Sequence, residues 1–368
     1  MRYLRYAVAA AAVALTAAWV IGPVSEVTGP LSEVIGPIIG KPPVRFVQPR
    51  PARTPSLMPD RRGSYASPVR YAYVPACQDD LDPCSHWILV SSDGERGWLP
   101  GAADDGSLAL SPDGRRAAYL NADERYVVVD LRTGHVTPLP IRQKGGSVGE
   151  MFGAQPPLFS LDGRHLLIQL EHLDKDTELV LERPLIVNVR TGAPHRLPAV
   201  GEVVGWTSAG LMTKETRRTD DVPGHVTSAA FTVYSPKGKV VRRFALPGNL
   251  AAGAVPSPSG RMTATLAREV TPDDVTGLGI VLTGTSTGEP ARTVAPRLPA
   301  GRRAMRILRW DGEHAVVLRT TGPRGETGHH VVDLATGAAR PLDVRMDDVV
   351  NLPLQPAALS VVLGSVRQ

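Results

Sequence analysis

Outside one run near its N-terminus, the 368-residue chain has no stretch of a dozen residues with apolar side chains at 3.6-residue spacing that escapes proline or glycine. That excludes a helical bundle and any architecture resting on long helices. Cysteine is nearly absent, with Cys77 and Cys84 the only two and no CxxC pair, so the usual ligand spacing of a zinc site is missing. The nine histidines are scattered without an HExxH spacing; His329 and His330 are adjacent at the start of a strand, where side chains point to opposite faces. No glycine loop of the phosphate-cradling kind occurs, and neither cofactor nor metal is expected. Lysine is scarce, six of 41 basic residues. With abundant alanine, glycine and proline, that is the codon bias of a GC-rich bacterium, such as an actinobacterium, so arginine by itself does not mark a ligand site.

The exceptional apolar run places the chain in the cell. Arg2 and Arg5 precede 18 uncharged residues, Ala7–Val24, which is a positive n-region followed by an export-competent segment. At about 1.5 Å per residue it could just cross a hydrocarbon core of roughly 30 Å. Trp19, Val20 and Ile21 occupy its far end in place of a small-x-small cleavage site, which favours an uncleaved anchor at 1–24 over a removed signal peptide. Arginine before the run, against Glu26 and Glu33 after it, predicts a body outside the membrane; a secreted protein is the alternative. In that compartment the cysteines flanking "QDDLDP" read as a disulfide, Cys77–Cys84.

Residues 25–75 read as an extended linker. "KPPVRFVQPRPARTPSLMPDRRGSYASPVR" holds seven prolines, and its seven basic residues against Asp60 give a local charge of +6, larger than the whole chain's +5. Such a stalk is either attracted to anionic lipid or wall polymer, or simply solvated. Nucleic acid is not an expected partner there.

The remainder, 76–368, repeats. "LALSPDGRRAAYL" from Leu108 recurs as "LFSLDGRHLLIQL" and "VPSPSGRMTATLA", and in worn form around Gly210 and Gly312. The turn residues are Asp113, Gly114, Asp162, Gly163, Gly210, Gly260 and Gly312, the glycines stepping by 49, 47, 50 and 52. A second motif, "VVVDLRTGHVTPL" and its kin, alternates with it, its glycines being Gly134, Gly192, Gly238, Gly288 and Gly337. Each motif is a β-rich run, a glycine turn and another run, which is a hairpin whose corner needs positive φ, from glycine or next best Asp or Asn. Two hairpins per period of about 50 residues make a four-stranded propeller blade. A lone hairpin from His86 and a lone strand pair from Val349 join into one blade shared by both ends. The expected fold is therefore an all-β, six-bladed propeller, with one insertion of about eight residues in Leu170–Pro184.

These repeats resemble the WD40-like repeats of the TolB-type propeller family, most closely at Ser111 and Ser160. The resemblance spans about residues 85–365 and implies a six-bladed envelope propeller that binds macromolecules. The family's α/β domain ahead of the propeller has no counterpart, residues 41–70 standing in its place, so a partnership with the TolB system does not carry over.

Candidate chemistry is sparse. "GTSTG" at Gly284–Gly288 fits the G-x-S-x-G hydrolase pattern, but Ser286 falls in a hairpin with no helix after it, and catalysis there is not expected. "DKDTE", Asp174–Glu178, is half a calcium loop out of register and reads as a solvated hairpin tip. The functional expectation is a monomeric binding or scaffold module for a protein or envelope glycan, held to the membrane through residues 7–24. The alternative is a lactonase- or lyase-like enzyme with its site at the central channel.

Overall fold

A computed structural model describes residues 65–73, 87–99, 101–102, 108–143, 156–173, 179–198, 200–218, 226–270, 275–344 and 361–364. The apolar run at 7–24, the two cysteines and the "DKDTE" acids lie outside these residues. Among the described residues no helix is long and apolar enough to cross a membrane.

The described chain forms six four-stranded antiparallel sheets, the blades of a propeller. Blade 2 is β4 (Leu108–Leu110), β5 (Arg116–Leu120), β6 (Arg125–Asp130) and β7 (Val136–Arg142), in that spatial order. Blade 3 is β8 (Leu158–Phe159), β9 (His165–Ile168), β12 (Leu185–Asn188) and β13 (Pro194–Arg196); its middle hairpin is extended by the pair β10 (Glu171–Leu173) and β11 (Leu179–Leu181). That extension is the insertion expected from the long step between repeats. Blade 4 is β14 (Glu202–Thr207), β15 (Gly210–Arg218), β16 (Val226–Tyr234) and β17 (Val240–Pro247), after which a single helical turn, α1 (Gly248–Ala251), leads onward. Blade 5 is β18 (Val255–Pro256), β19 (Met262–Val270), β20 (Val275–Gly284) and β21 (Pro290–Val294). Blade 6 is β22 (Arg303–Asp311), β23 (Ala315–Thr321), β24 (Thr327–Asp333) and β25 (Ala339–Pro341).

Blade 1 closes the ring. Its strands are β1 (Val69–Tyr73), β2 (Ile88–Ser91) and β3 (Arg96–Trp98), with β26 (Val361–Leu363) added beside β1. Both ends do share a blade, but as three strands plus one instead of two hairpin halves. β1 lies inside the stretch read as extended linker, and the propeller's first strand therefore starts before residue 76. The physical reason is that Val69, Tyr71, Ala72 and Tyr73 are all buried, whereas the prolines that suggested a stalk end at Pro68.

The middle strands β2, β5, β6, β9 and β12 are buried on both faces, which is why they are largely apolar, whereas outer strands such as β13 and β21 are mostly exposed. Alternation in β6 sends Val127 and Val129 to the core shared with blade 1, beside Val69 and Leu89. Tyr126 and Val128 go to the core shared with blade 3, beside Phe159 and Ile168. Further cores join blades 3 and 4 around Trp206, 4 and 5 around Phe231, and 5 and 6 around Trp310. Two of these indoles also staple blades together: Trp206 Nε1 donates to the Leu158 carbonyl at 3.0 Å, and Trp310 Nε1 to the Val255 carbonyl at 2.9 Å. The seam between blades 6 and 1 is thinner. Among the described residues it holds Val317, Val331 and Leu342 in one cluster and Tyr71, Tyr73, Ile88 and Val90 in another, joined through Val344 and Leu363.

Candidate functional site: the basic end of blade 6

The turn residues singled out in the sequence sit in hairpin corners on one face of the ring and do not come together. Gly114, Gly163, Gly260, Gly312, Gly134, Gly192, Gly288 and Gly337 all have φ between +63° and +74°. Asp113 and Asp162 do not share that conformation, and their role differs from the expected one. Asp113 Oδ1 accepts from Ser111 Oγ at 2.5 Å and from the Arg115 amide at 3.0 Å; Asp162 repeats the pattern with Ser160 and Arg164 at 2.6 and 3.0 Å. These carboxylates are acceptors that hold the corner, leaving positive φ to the glycine. In the second motif Asp130, Asn188 and Asp333 do the same work, each Oδ1 capping amides two or three residues on. Burial alone would raise the Asp130 pKa, but the amides of Thr133 and Arg132 hold it below the usual carboxylate value.

The copy that replaces aspartate by Ser259 makes a contact of its own. Glu313, on the turn of blade 6, accepts from the Ser259 amide at 2.5 Å and from its Oγ at 3.0 Å, tying blade 5 to blade 6. Ser286 lies exposed in the β20–β21 turn, where Gly288 N donates to Gly284 O at 2.8 Å. It is a corner residue.

At the other face the hairpins between each blade's second and third strands emerge. These are short in blade 2 and long in blades 4 and 5, whose β15 and β16 run nine residues each and β20 ten. In blade 6 the hairpin turns through Gly322–Glu326, with Thr321 paired to Thr327. Two residues inward, Arg306 of β22, Arg319 of β23 and His329 of β24 occupy one continuous register row. Partners in such a row project from the same side of the sheet, with Cβ atoms about 5 Å apart. This is the side turned to blade 1, since Val317 and Val331, two residues from Arg319 and His329, pack with Leu363.

The opposite side carries a second group. His330 is buried, and its Nδ1 lies 3.1 Å from Thr320 Oγ1. The Arg302 guanidinium occupies the space above Gly328 that any β-carbon would fill, with its Nη1 buried and without a hydrogen-bond partner. His329 and His330 do diverge across the sheet, and each meets arginine.

Electrostatics follow from this crowding. Burial, then the Arg319 charge, then His330 push the His329 pKa down to about 4, so the ring is neutral at pH 7. Burial and the charge of Arg302 lower His330 likewise, and burial and Arg306 lower Arg319. Neither Arg306 nor Arg319 has an acidic partner among the described residues. Glu326, at the hairpin tip, is the carboxylate that feels Arg302. Arginine abundance reads as compositional in the sequence, and simple hairpin register does not reveal the row, because it is the bulge between Ile307 and Arg309 that brings Arg306 opposite Arg319.

The channel differs in character. Neighbouring innermost strands touch around the axis, β26 with β4, β4 with β8, β14 with β18 and β18 with β22. Of these, β4, β8, β18 and β26 consist only of Leu, Ala, Phe, Val and Pro. Among the described residues there is no group of three His, Cys, Asp or Glu that could hold a metal ion.

No family model and no curated protein matches the chain. Solved structures similar to it include TolB from Acinetobacter baumannii, with 15% identity over 77% of this chain and 67% of that one and a TM-score of 0.39. An oligogalacturonate lyase in complex with manganese has 14% identity over 70% of each chain and a TM-score of 0.39. Dipeptidyl peptidase 4 of Porphyromonas gingivalis has 12% identity over 71% of this chain and 42% of its own, with a TM-score of 0.37.

Proposed function

We propose that the protein is a binding propeller, tethered outside the cytoplasmic membrane by residues 7–24 and engaging a protein or envelope glycan. The observation that carries this reading is the asymmetry between the two faces. One face ends in tight corners whose Asp and Asn side-chain oxygens are consumed by the corners themselves. The other presents long hairpins and the blade 6 cations Arg306 and Arg319, which have no acidic partner among the described residues, and binding groups concentrate on loops held by a rigid scaffold. The enzymatic alternative calls for acids or histidines meeting at the axis; among the described innermost strands the acids are Glu202 of β14, paired with Lys214, and Asp311 of β22, on separate blades.

The test is site-specific photocrosslinking in native envelopes. A crosslinker at Arg217 or Arg324, on the long-hairpin face, is expected to capture a discrete partner, whereas one at Arg132 or Arg190, on the corner face, is not. Adducts confined to the corner face would reverse the assignment, and none from either face would remove the binding reading.

A further inference from the structure

We propose that the row Arg306, Arg319 and His329, at the seam between blades 6 and 1, is a binding site for a phosphate group. This deepens the binding reading given above and rests on it for the physiological source of the phosphate. Three adjacent strands project two guanidinium groups and an imidazole from one side of the sheet in one row. Arg306 is exposed, Arg319 half-buried and His329 buried, so the row descends from solvent into the seam. Like charges held this close cost free energy, and nothing among the described residues offsets it: Arg306 and Arg319 lack an acidic partner, and His329 is held neutral. An anion seated on the row would relieve the repulsion and satisfy the donors.

The donor set selects among anions. A carboxylate presents two coplanar oxygens, which one guanidinium fork can satisfy. Two forks and an imidazole on neighbouring strands suit the three oxygens of a phosphomonoester or inorganic phosphate. The exposed Arg306 side chain makes the outer end of the row reachable from the hairpin face.

Ring resonances of histidine in the full-length, [13Cε1]-histidine-labelled protein in detergent would read the site directly. At pH 7 and constant ionic strength, inorganic phosphate and glycerol phosphate are expected to shift the His329 signal saturably, with the signals of His135 and His195 unmoved. Arg306→Gln and Arg319→Gln should each weaken the response at least tenfold, and Arg324→Gln should leave it unchanged. If Arg319→Gln fails to fold, Arg306→Gln decides alone, because its exposed side chain packs into no core. No saturable shift, an equal response to acetate, or wild-type binding by Arg306→Gln would overturn the site. Discrete partner crosslinks alongside no saturable phosphate shift in the wild-type protein would refute the site while leaving the binding reading intact. A phosphate shift without any crosslinked partner would uphold the site and count against that reading.

Discussion

At the scale of single residues, the corner glycines separate two costs that the sequence presents as one. Gly114 has φ +65°, and a methyl there would overlap the carbonyl of Val69 on the neighbouring blade. Gly312 has nearly the same φ, +63°, with nothing within 4 Å. Gly312→Ala should therefore cost only the left-handed backbone penalty, about 1 kcal/mol, and Gly114→Ala about 2–4 kcal/mol, read from urea midpoints. Equal losses would mean that the approach of the blades is not what retains glycine at 114. His329 supplies a pH signature. Its folded pKa of about 4 lies below the ordinary 6.5, so the unfolded chain binds the proton first as pH falls. The His329 contribution should make stability decline between pH 6.5 and 4, by up to about 3 kcal/mol, and should itself level off below that window. Burial is the largest cause of the shift, followed by the Arg319 charge and His330; Arg306, next in the row, acts on Arg319. His329→Gln should flatten the decline, and an unchanged slope in that variant would assign it to other groups. The depressed carboxylates Asp130 and Asp162 act lower, losing their contribution as pH drops through their folded values.

At the scale of elements, the hairpins were legible because two corner motifs with different hydrogen-bond chemistry recur at one spacing. β1 was not legible: five residues directly after a proline-rich tract carry no corner of their own, and its pairing with β26 joins residues nearly three hundred positions apart. The basic row was hidden for a related reason, since it exists only once β22, β23 and β24 lie in register. The closing strand gives this level its test. Arg309 of β22 donates to the carbonyls of Leu363, at 3.2 Å, and Gly364, and Gly364 N donates to Arg70 O at 2.7 Å. Burial lowers the Arg309 pKa to about 10, which still leaves it charged at pH 7. Arg309→Met should cost about 2–4 kcal/mol and speed hydrogen exchange selectively in blade 1. Truncation before Val361 should do the same more severely, and a truncated chain with wild-type melting would show that the ring does not depend on β26.

At the scale of the whole molecule, the expected export and tethering rest on residues beyond the described ones and have their own readouts. Membrane fractionation should recover the protein intact with its N-terminus, and a released chain beginning near residue 20 would indicate cleavage instead. Cys77 and Cys84 should resist alkylation in the exported protein until reduced. Modification without reductant would show free thiols and remove the disulfide.

The position of β26 also bears on how the chain acquires its shape. Five blades are each contiguous in sequence and can form as they are synthesised, but the innermost strand of blade 1 is not made until residue 361. Until then β1 exposes an unpaired edge and blades 6 and 1 stand apart, a state open to strand capture between molecules. Joining such distant segments adds little equilibrium cost, because loop entropy grows only logarithmically with length, yet it slows the final step. The protein should thus pass through a long-lived open ring late in folding, and conditions that delay appearance of the last residues should favour oligomers exchanged through β26.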